Sequence, residues 1–422
     1  MINLFLKRSF KESAKFIILS ILLLAGIRFF RTFPFSEEFF KVQALILVML
    51  FGFFIFYVLR KLILNEYITT YELFLIFMAF FFPLYSSFRA NIVFGQPFIL
   101  GILSERGWLT ILTGVLFLYK LSRNKWTLDN LVRTLIILSW LSLILYFALY
   151  LLADPYSFDR SFVSFPKLKG VHFKLNSFFI AFGLIYYSVM SIRQKKTRYM
   201  IFFLLFLCYI VFFDRGRGLT ISIGLTLAFL VYSQSQFRMR NFVIAALVIC
   251  FVFFVLISIS PGFYTSVSNS IQQVVETIND SGHDLSNTLK TRVLELGILW
   301  EYVKQNPGVA LFGCGKLSLH WNGGFSGKFD YFYPSDLGIA GAWFVYGILG
   351  LILVFLQFFF VFRGGRQSNV KSDLYITLKL FIIFLLINSF LTGVVVLNPF
   401  TLVIPAIIIF HIRNNGDSES DA

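Results

Sequence analysis

The chain is a succession of long apolar runs separated by short basic or glycine-containing segments. A helix needs roughly 20 mostly apolar residues to cross about 30 Å of hydrocarbon. By that measure about twelve runs qualify. They lie near residues 15–33, 42–59, 68–86, 98–121, 131–152, 174–192, 199–213, 219–233, 241–259, 337–362, 374–395 and 397–411. Only Asp214-Arg215-Gly216-Arg217-Gly218 parts the seventh from the eighth, and only Leu397-Asn398-Pro399 parts the last two.

One long segment, 261–336, interrupts this pattern between the ninth and tenth runs. Loops of such length without function are uncommon. Asp284-Leu285-Ser286-Asn287 offers helix caps. Leu289, Val293, Leu296, Trp300 and Val303 then recur at helical spacing, and Asn306-Pro307-Gly308 stops the run. The spacing predicts an amphipathic helix over 286–305, lying across the mouth of a helical bundle. On it Arg292 and Glu295 stand one turn apart, close enough to pair. Gly313-Cys314-Gly315, His320 and Gly323-Gly324 follow, and the segment ends in Tyr331-Phe332-Tyr333-Pro334-Ser335-Asp336 before a new run.

Composition agrees with the pattern. Hydrophobic residues make up 58% of the 422 and charged residues 14%, with 57 Phe; soluble domains carry about 25% charged residues. A cytosolic enzyme, a secreted domain and a disordered chain are excluded. An all-α polytopic integral membrane protein is expected, with 1–422 as one membrane domain and 261–336 as its large outer loop. The first run follows Lys7, Arg8, Lys11 and Lys15, reaches Phe30 and lacks a small-residue cleavage pattern, so it reads as a retained helix rather than a signal peptide. The three Cys and four His show no disulfide, zinc or redox spacing. No metal and no cofactor are expected, and no Walker, Asp-x-Asp or GxGxxG motif is present.

Charge changes the picture most. Lys and Arg number 37 against 21 Asp and Glu, a net of +16. Such an excess commonly marks nucleic-acid binding, but in a membrane chain it first marks cytoplasmic loops. Arg60-Lys61, Arg123-Asn124-Lys125, the 193–198 cluster, Arg238-Met239-Arg240, Arg363-Gly364-Gly365-Arg366 and Arg413 all fall on the side of the basic N-terminus. Both termini are therefore expected in the cytoplasm, and no nucleic-acid partner is expected. About 21 of the 37 basic residues follow that rule, leaving roughly 16 on the outer side. These include Arg28, Arg89, Arg106, Arg160, Lys167, Lys169, Lys174, Arg215, Arg217, Arg292, Lys304, Lys316 and Lys328. An anionic ligand on that face is a reason to keep them there, against the bland alternative of cations snorkelling to headgroups. Glu105 and Arg106 form an ionisable pair within the fourth run.

A lipid-linked diphosphate has a prenyl chain in the bilayer, its diphosphate at the surface and sugars projecting outward. Arg suits it, because the guanidinium stays charged and binds phosphate bidentately. Arg215, Arg217 and Arg292 are the leading diphosphate candidates. Arg89, Arg106, Arg160, Lys169, His172 and Lys174 are secondary ones. Glycosyl transfer also needs a base for the acceptor hydroxyl. Asp336 is the candidate, with an N-cap as its plain alternative role, and His320 is the second choice. Tyr331, Tyr333, Trp321 and Trp343 are placed to stack on sugars, although interface belts use the same residues.

Three stretches carry a family resemblance. They are Phe213-Asp214-Arg215-Gly216-Arg217-Gly218-Leu219; Thr291-Arg292 through Trp300, Asn306-Pro307 and Gly313-Cys314-Gly315; and Pro334-Ser335-Asp336 with the Tyr346–Leu351 run. With the run count and the single late loop, the chain resembles the O-antigen polymerase and ligase family of bacterial envelope glycosyltransferases. That resemblance implies a GT-C-like, metal-independent enzyme of the bacterial cytoplasmic membrane. Its donor would be an undecaprenyl-diphosphate-linked oligosaccharide and its active site would face the periplasm. Its partners would be the lipid bilayer and a chain-length regulator. Family ligases carry a His near the position of Asp336, so the departure here favours a polymerase. A ligase acting on lipid A core is the alternative within the family. A lipid-linked glycan flippase is the alternative of another class; transporters usually carry internal repeats, and none is evident here.

Overall fold

The computed structural model describes residues 10–30, 33, 36–123, 126–158, 162–164, 172–214, 217–234, 287–330, 332–364, 372–393, 395 and 398–419. Among the described residues the fold is helical apart from one two-residue hairpin, β1 (Val163–Ser164) paired antiparallel with β2 (His172–Phe173). In chain order the helices are α1 (Phe10–Gly26), α2 (Ser36–Ile63), α3 (Thr70–Phe94), α4 (Phe98–Glu105), α5 (Leu112–Ser122), α6 (Leu128–Leu152), α7 (Phe178–Gln194), α8 (Thr197–Tyr209) and α9 (Arg217–Gln234). After the long loop come α10 (Asn287–Gln305), α11 (Pro307–Phe312), α12 (Gly324–Lys328), α13 (Ile339–Gly364), α14 (Asp373–Thr392) and α15 (Phe400–Glu419). A 3-10 turn, Arg106–Ile111, joins α4 to α5.

Six helices among the described residues are long and apolar enough to cross a membrane, and five shorter apolar helices accompany them. Every apolar run read from the sequence has a helical counterpart, except 241–259, which lies outside the described residues. Lipid and core compete for these helices. The membrane window of α2 is only 11% buried, whereas that of Phe98–Ser122 is 56% buried, so α2 is peripheral and the α4–α5 unit central. Aromatic packing fills the middle, as where Phe82 stacks on Trp108 at 3.8 Å between ring centres.

Local chemistry sets the helix ends. Thr69 and Glu72 form a capping box at the start of α3. Thr127 caps α6 and Ser372 caps α14. At one end of the bundle Arg60 donates to Tyr119, Arg123 pairs with Glu66, and Arg193 pairs with Asp373 at 2.8 Å. The Arg123 guanidinium holds the Glu66 carboxyl below its ordinary range. The opposite end gathers the chain's longer connections. There Asn176 and Asn398 both donate to the Ile27 carbonyl, tying the ends of three distant helices together.

Candidate functional site at the loop end of the bundle

The centre of the loop end is an extended strap, 313–318. Its sequence dictates its course. Gly313 and Gly315 take φ of +68° and +79°, a region open to glycine and strained for other residues. A Cβ on Gly315 would overlap the Ser86 carbonyl and the Ala90 amide of α3. The strap therefore runs directly against helix backbone. It also uses a break in α13: Gly347, at φ +68°, interrupts that helix, and the Phe344 and Val345 carbonyls accept the N–H groups of Cys314 and Gly315, both at 2.9 Å. Buried irregular backbone is thereby satisfied, as it must be away from water. Burial pushes the Cys314 thiol well above its usual pKa.

Side chains of α3 and the turn after it complete the cradle. Tyr85 donates to the Phe312 carbonyl at 2.6 Å and Arg89 to that of Gly313 at 2.9 Å. Gln96 brackets the strap, donating to the Lys316 carbonyl and accepting from the Ser318 amide. Beneath it lies Glu105, 2% exposed. Its Oε1 accepts from Ser86 and from Tyr346, each at 2.8 Å, and its Oε2 lies 3.4 Å from Lys316 Nζ. Trp108 in turn donates to the Tyr346 hydroxyl. The sequence paired Glu105 with Arg106; the observed ion-pair partner is Lys316, because the strap delivers that ammonium to the buried carboxylate. Arg106 is half-buried at the start of the 3-10 turn, and the side chain of Arg28 packs against Gly107, where no Cβ intervenes.

The second element is α10. The expected helix over 286–305 is present as Asn287–Gln305, but its buried face differs from the apolar stripe read off the sequence. Glu295, Leu299 and Val303 are buried. Val293, Leu296 and Trp300 are exposed. Glu295 is 0% exposed, and its Oε1 accepts the Tyr333 amide at 3.0 Å. Its Oε2 is buried with no hydrogen-bond partner. The expected Arg292–Glu295 ion pair is not formed: Arg292 is exposed while Glu295 turns inward. Burial raises the Glu295 carboxyl pKa above its ordinary value; nearby Asp336 raises it further, and the Tyr333 N–H and Arg292 oppose the rise.

Asp336 sits in the 3-10 turn Pro334–Leu337, just before α13. It is exposed and accepts from Ser335 Oγ at 3.2 Å. It makes no side-chain cap to α13. Glu295 thus ties the helix that carries Arg292 to the turn that carries Asp336, through the Tyr333 amide. The last turn of α14 forms the floor between this group and α9. A Cβ on Gly338 would meet the Phe390 and Leu391 carbonyls, and one on Gly218 would meet Thr392. Arg217 opens α9 on the far side of that floor; Arg215 lies outside the described residues.

Of the secondary candidates, His172 lies in β2 and Lys174, exposed, follows it. Tyr150 holds this hairpin beside the end of α8, accepting from the Phe173 amide and donating to the Phe213 carbonyl. Arg160, Lys169 and Tyr331 lie outside the described residues. His320 is exposed, beside the strap rather than near Asp336's turn in sequence. Trp343 is committed to the Ala310 carbonyl at 2.8 Å. Among the described residues no three His, Cys, Asp or Glu side chains gather to hold a metal ion. Comparison of the chain with protein-family models, with curated proteins and with solved structures gave no match.

Proposed function

We propose that the chain is a GT-C-like, metal-independent membrane glycosyltransferase that polymerises a bacterial envelope polysaccharide. In this reading it moves a growing glycan from undecaprenyl diphosphate onto the next lipid-linked repeat unit, on the outer face of the cytoplasmic membrane. The observation that supports it most is that Glu295 ties the helix bearing Arg292 to the turn bearing Asp336, across the end of α14 from the start of α9, on the loop end of an apolar bundle.

The acceptor hydroxyl oxygen attacks the anomeric carbon of the donor glycan. The carbon–oxygen bond to diphosphate breaks, and its electron pair leaves with undecaprenyl diphosphate. The hydroxyl proton passes to Asp336. Arg292, with Arg217 or Arg215, offsets the charge that develops on the leaving diphosphate. Fixed cations are worth most where water is sparse.

The break in α13 at Gly347 invites a flippase reading, because discontinuous helices line transporter paths. Its freed carbonyls are, however, taken by the amides of Cys314 and Gly315, which favours an enzyme built on a fixed scaffold. Purified protein given lipid-linked repeat units should lengthen the glycan and release undecaprenyl diphosphate. Cells lacking it should accumulate single repeat units; long unattached polymer would mark a ligase instead. No lengthening in vitro, with Arg217→Ala and Arg292→Ala indistinguishable from wild type in cells, overturns the reading.

A further inference from the structure

Glu295 has an arrangement that packing alone does not require. A buried carboxylate normally fills its hydrogen-bonding capacity or is replaced by an apolar group. Here one oxygen holds the Tyr333 amide at 3.0 Å and the other, equally buried, holds nothing. The bonded oxygen fixes the backbone that leads into Pro334–Leu337, and Asp336 sits on that turn with its own amide bonded to the Tyr333 carbonyl at 2.9 Å. Tyr333 thus links both acids through its two backbone groups.

We infer that Glu295 is the positioning residue for Asp336, and that the two form one coupled carboxylate pair serving the acceptor hydroxyl of the lipid-linked glycan. The hydroxyl part of this statement rests on the polymerase reading; the coupling does not. One acid is exposed, where a sugar can reach it. The other is sealed beneath it, fixing its turn and its local field. The charged groups around Glu295 are Arg292 on its own helix and Asp336 on the turn. Among the described residues the elements packed most closely on α10 add none nearby: α11 carries no titratable side chain, and Ile339–Val345 of α13 carries none either. Burial and the neighbouring Asp336 hold the Glu295 proton more tightly than usual, and Arg292 loosens it.

The test uses the full-length protein in nanodiscs and follows the infrared band of protonated carboxyl groups through a pH titration. Glu295→Gln should remove a band that titrates above the ordinary glutamate range. Its amide oxygen still accepts the Tyr333 N–H, so the turn persists. Asp336→Asn should move that band to lower pH, and Arg292→Ala should move it to higher pH. A band that ignores both substitutions, or no such band, overturns the coupling whether or not the protein polymerises glycan. In the elongation assay Glu295→Gln, which keeps the turn, should displace the pH profile of the rate, while Glu295→Ala, which releases the Tyr333 amide, should lower the rate roughly ten- to hundredfold without weakening binding of the lipid-linked unit. A variant that elongates with the wild-type profile overturns the positioning role. Failure of the wild type to elongate overturns the polymerase reading alone, and the infrared shifts then decide the pair.

Discussion

Glu105 and Glu295 are two carboxylates sealed inside the same end of the molecule, 2% and 0% exposed, and they are finished differently. Both oxygens of Glu105 are engaged: Ser86, Tyr346 and Lys316 come to them from α3, α13 and the strap. Glu295 is half-finished, with one backbone N–H and one empty oxygen. A buried carboxylate with both oxygens engaged is a fixed point for the groups around it. One with an idle oxygen carries an uncompensated desolvation cost, and such costs persist where a site needs them. The contrast separates a pin from a working group without reference to any relative.

The largest expected effect is at the pin. Glu105→Ala removes the shared acceptor of the Ser86 and Tyr346 hydroxyls and the ion-pair partner of the half-buried Lys316, and each buried donor left without its acceptor costs about 1–3 kcal/mol. Thermal unfolding of the detergent-solubilised protein should show it as a large loss of melting temperature. Glu105→Gln keeps an acceptor for Ser86 and Tyr346 and should lose less. Glu105→Ala as stable as wild type would break the comparison at its stronger side.

Next comes the strap that brings Lys316 to Glu105. Gly315→Ala forces a side chain into a left-handed conformation against the backbone of α3, at a cost of about 1–3 kcal/mol from the conformation alone. Cys314 reports on it. Fully buried, with its thiol pKa raised by burial, it should resist maleimide in the wild type and react in Gly315→Ala. Equal labelling in both would show that the strap is not keyed by its glycines.

These two sites also mark where the sequence was legible. The Gly-x-Gly turns, the stop at Asn306-Pro307 and the helical character of the apolar runs that fall within the described residues were legible, because each is decided by local chemistry. The partner of Glu105 was not legible. Lys316 is 211 positions away in the chain, and only the folded strap joins them. The buried face of α10 was misread for another reason. Helical spacing reveals which side chains share a face but not which face a tertiary contact will claim. Val293, Leu296 and Trp300 stayed exposed, while a glutamate turned inward to hold the Tyr333 amide. Of the leading candidates, Arg292 and Asp336 lie on two segments that this unforeseen residue ties together.

The smallest expected effect is the most discriminating, because it asks whether the idle oxygen is idle. The Glu295 pKa is raised in the folded state, mainly by burial. The stability it contributes is therefore fully present below the unfolded value of 4.5 and is lost as pH rises through the folded one. Glu295→Gln does not titrate and escapes that loss. The melting temperature of the variant relative to wild type should therefore climb as pH rises from below 4.5 toward neutrality, by far less than the Glu105→Ala deficit. A flat difference would mean that the Glu295 carboxyl is not perturbed by folding, and Glu295 would then hold a turn and nothing more.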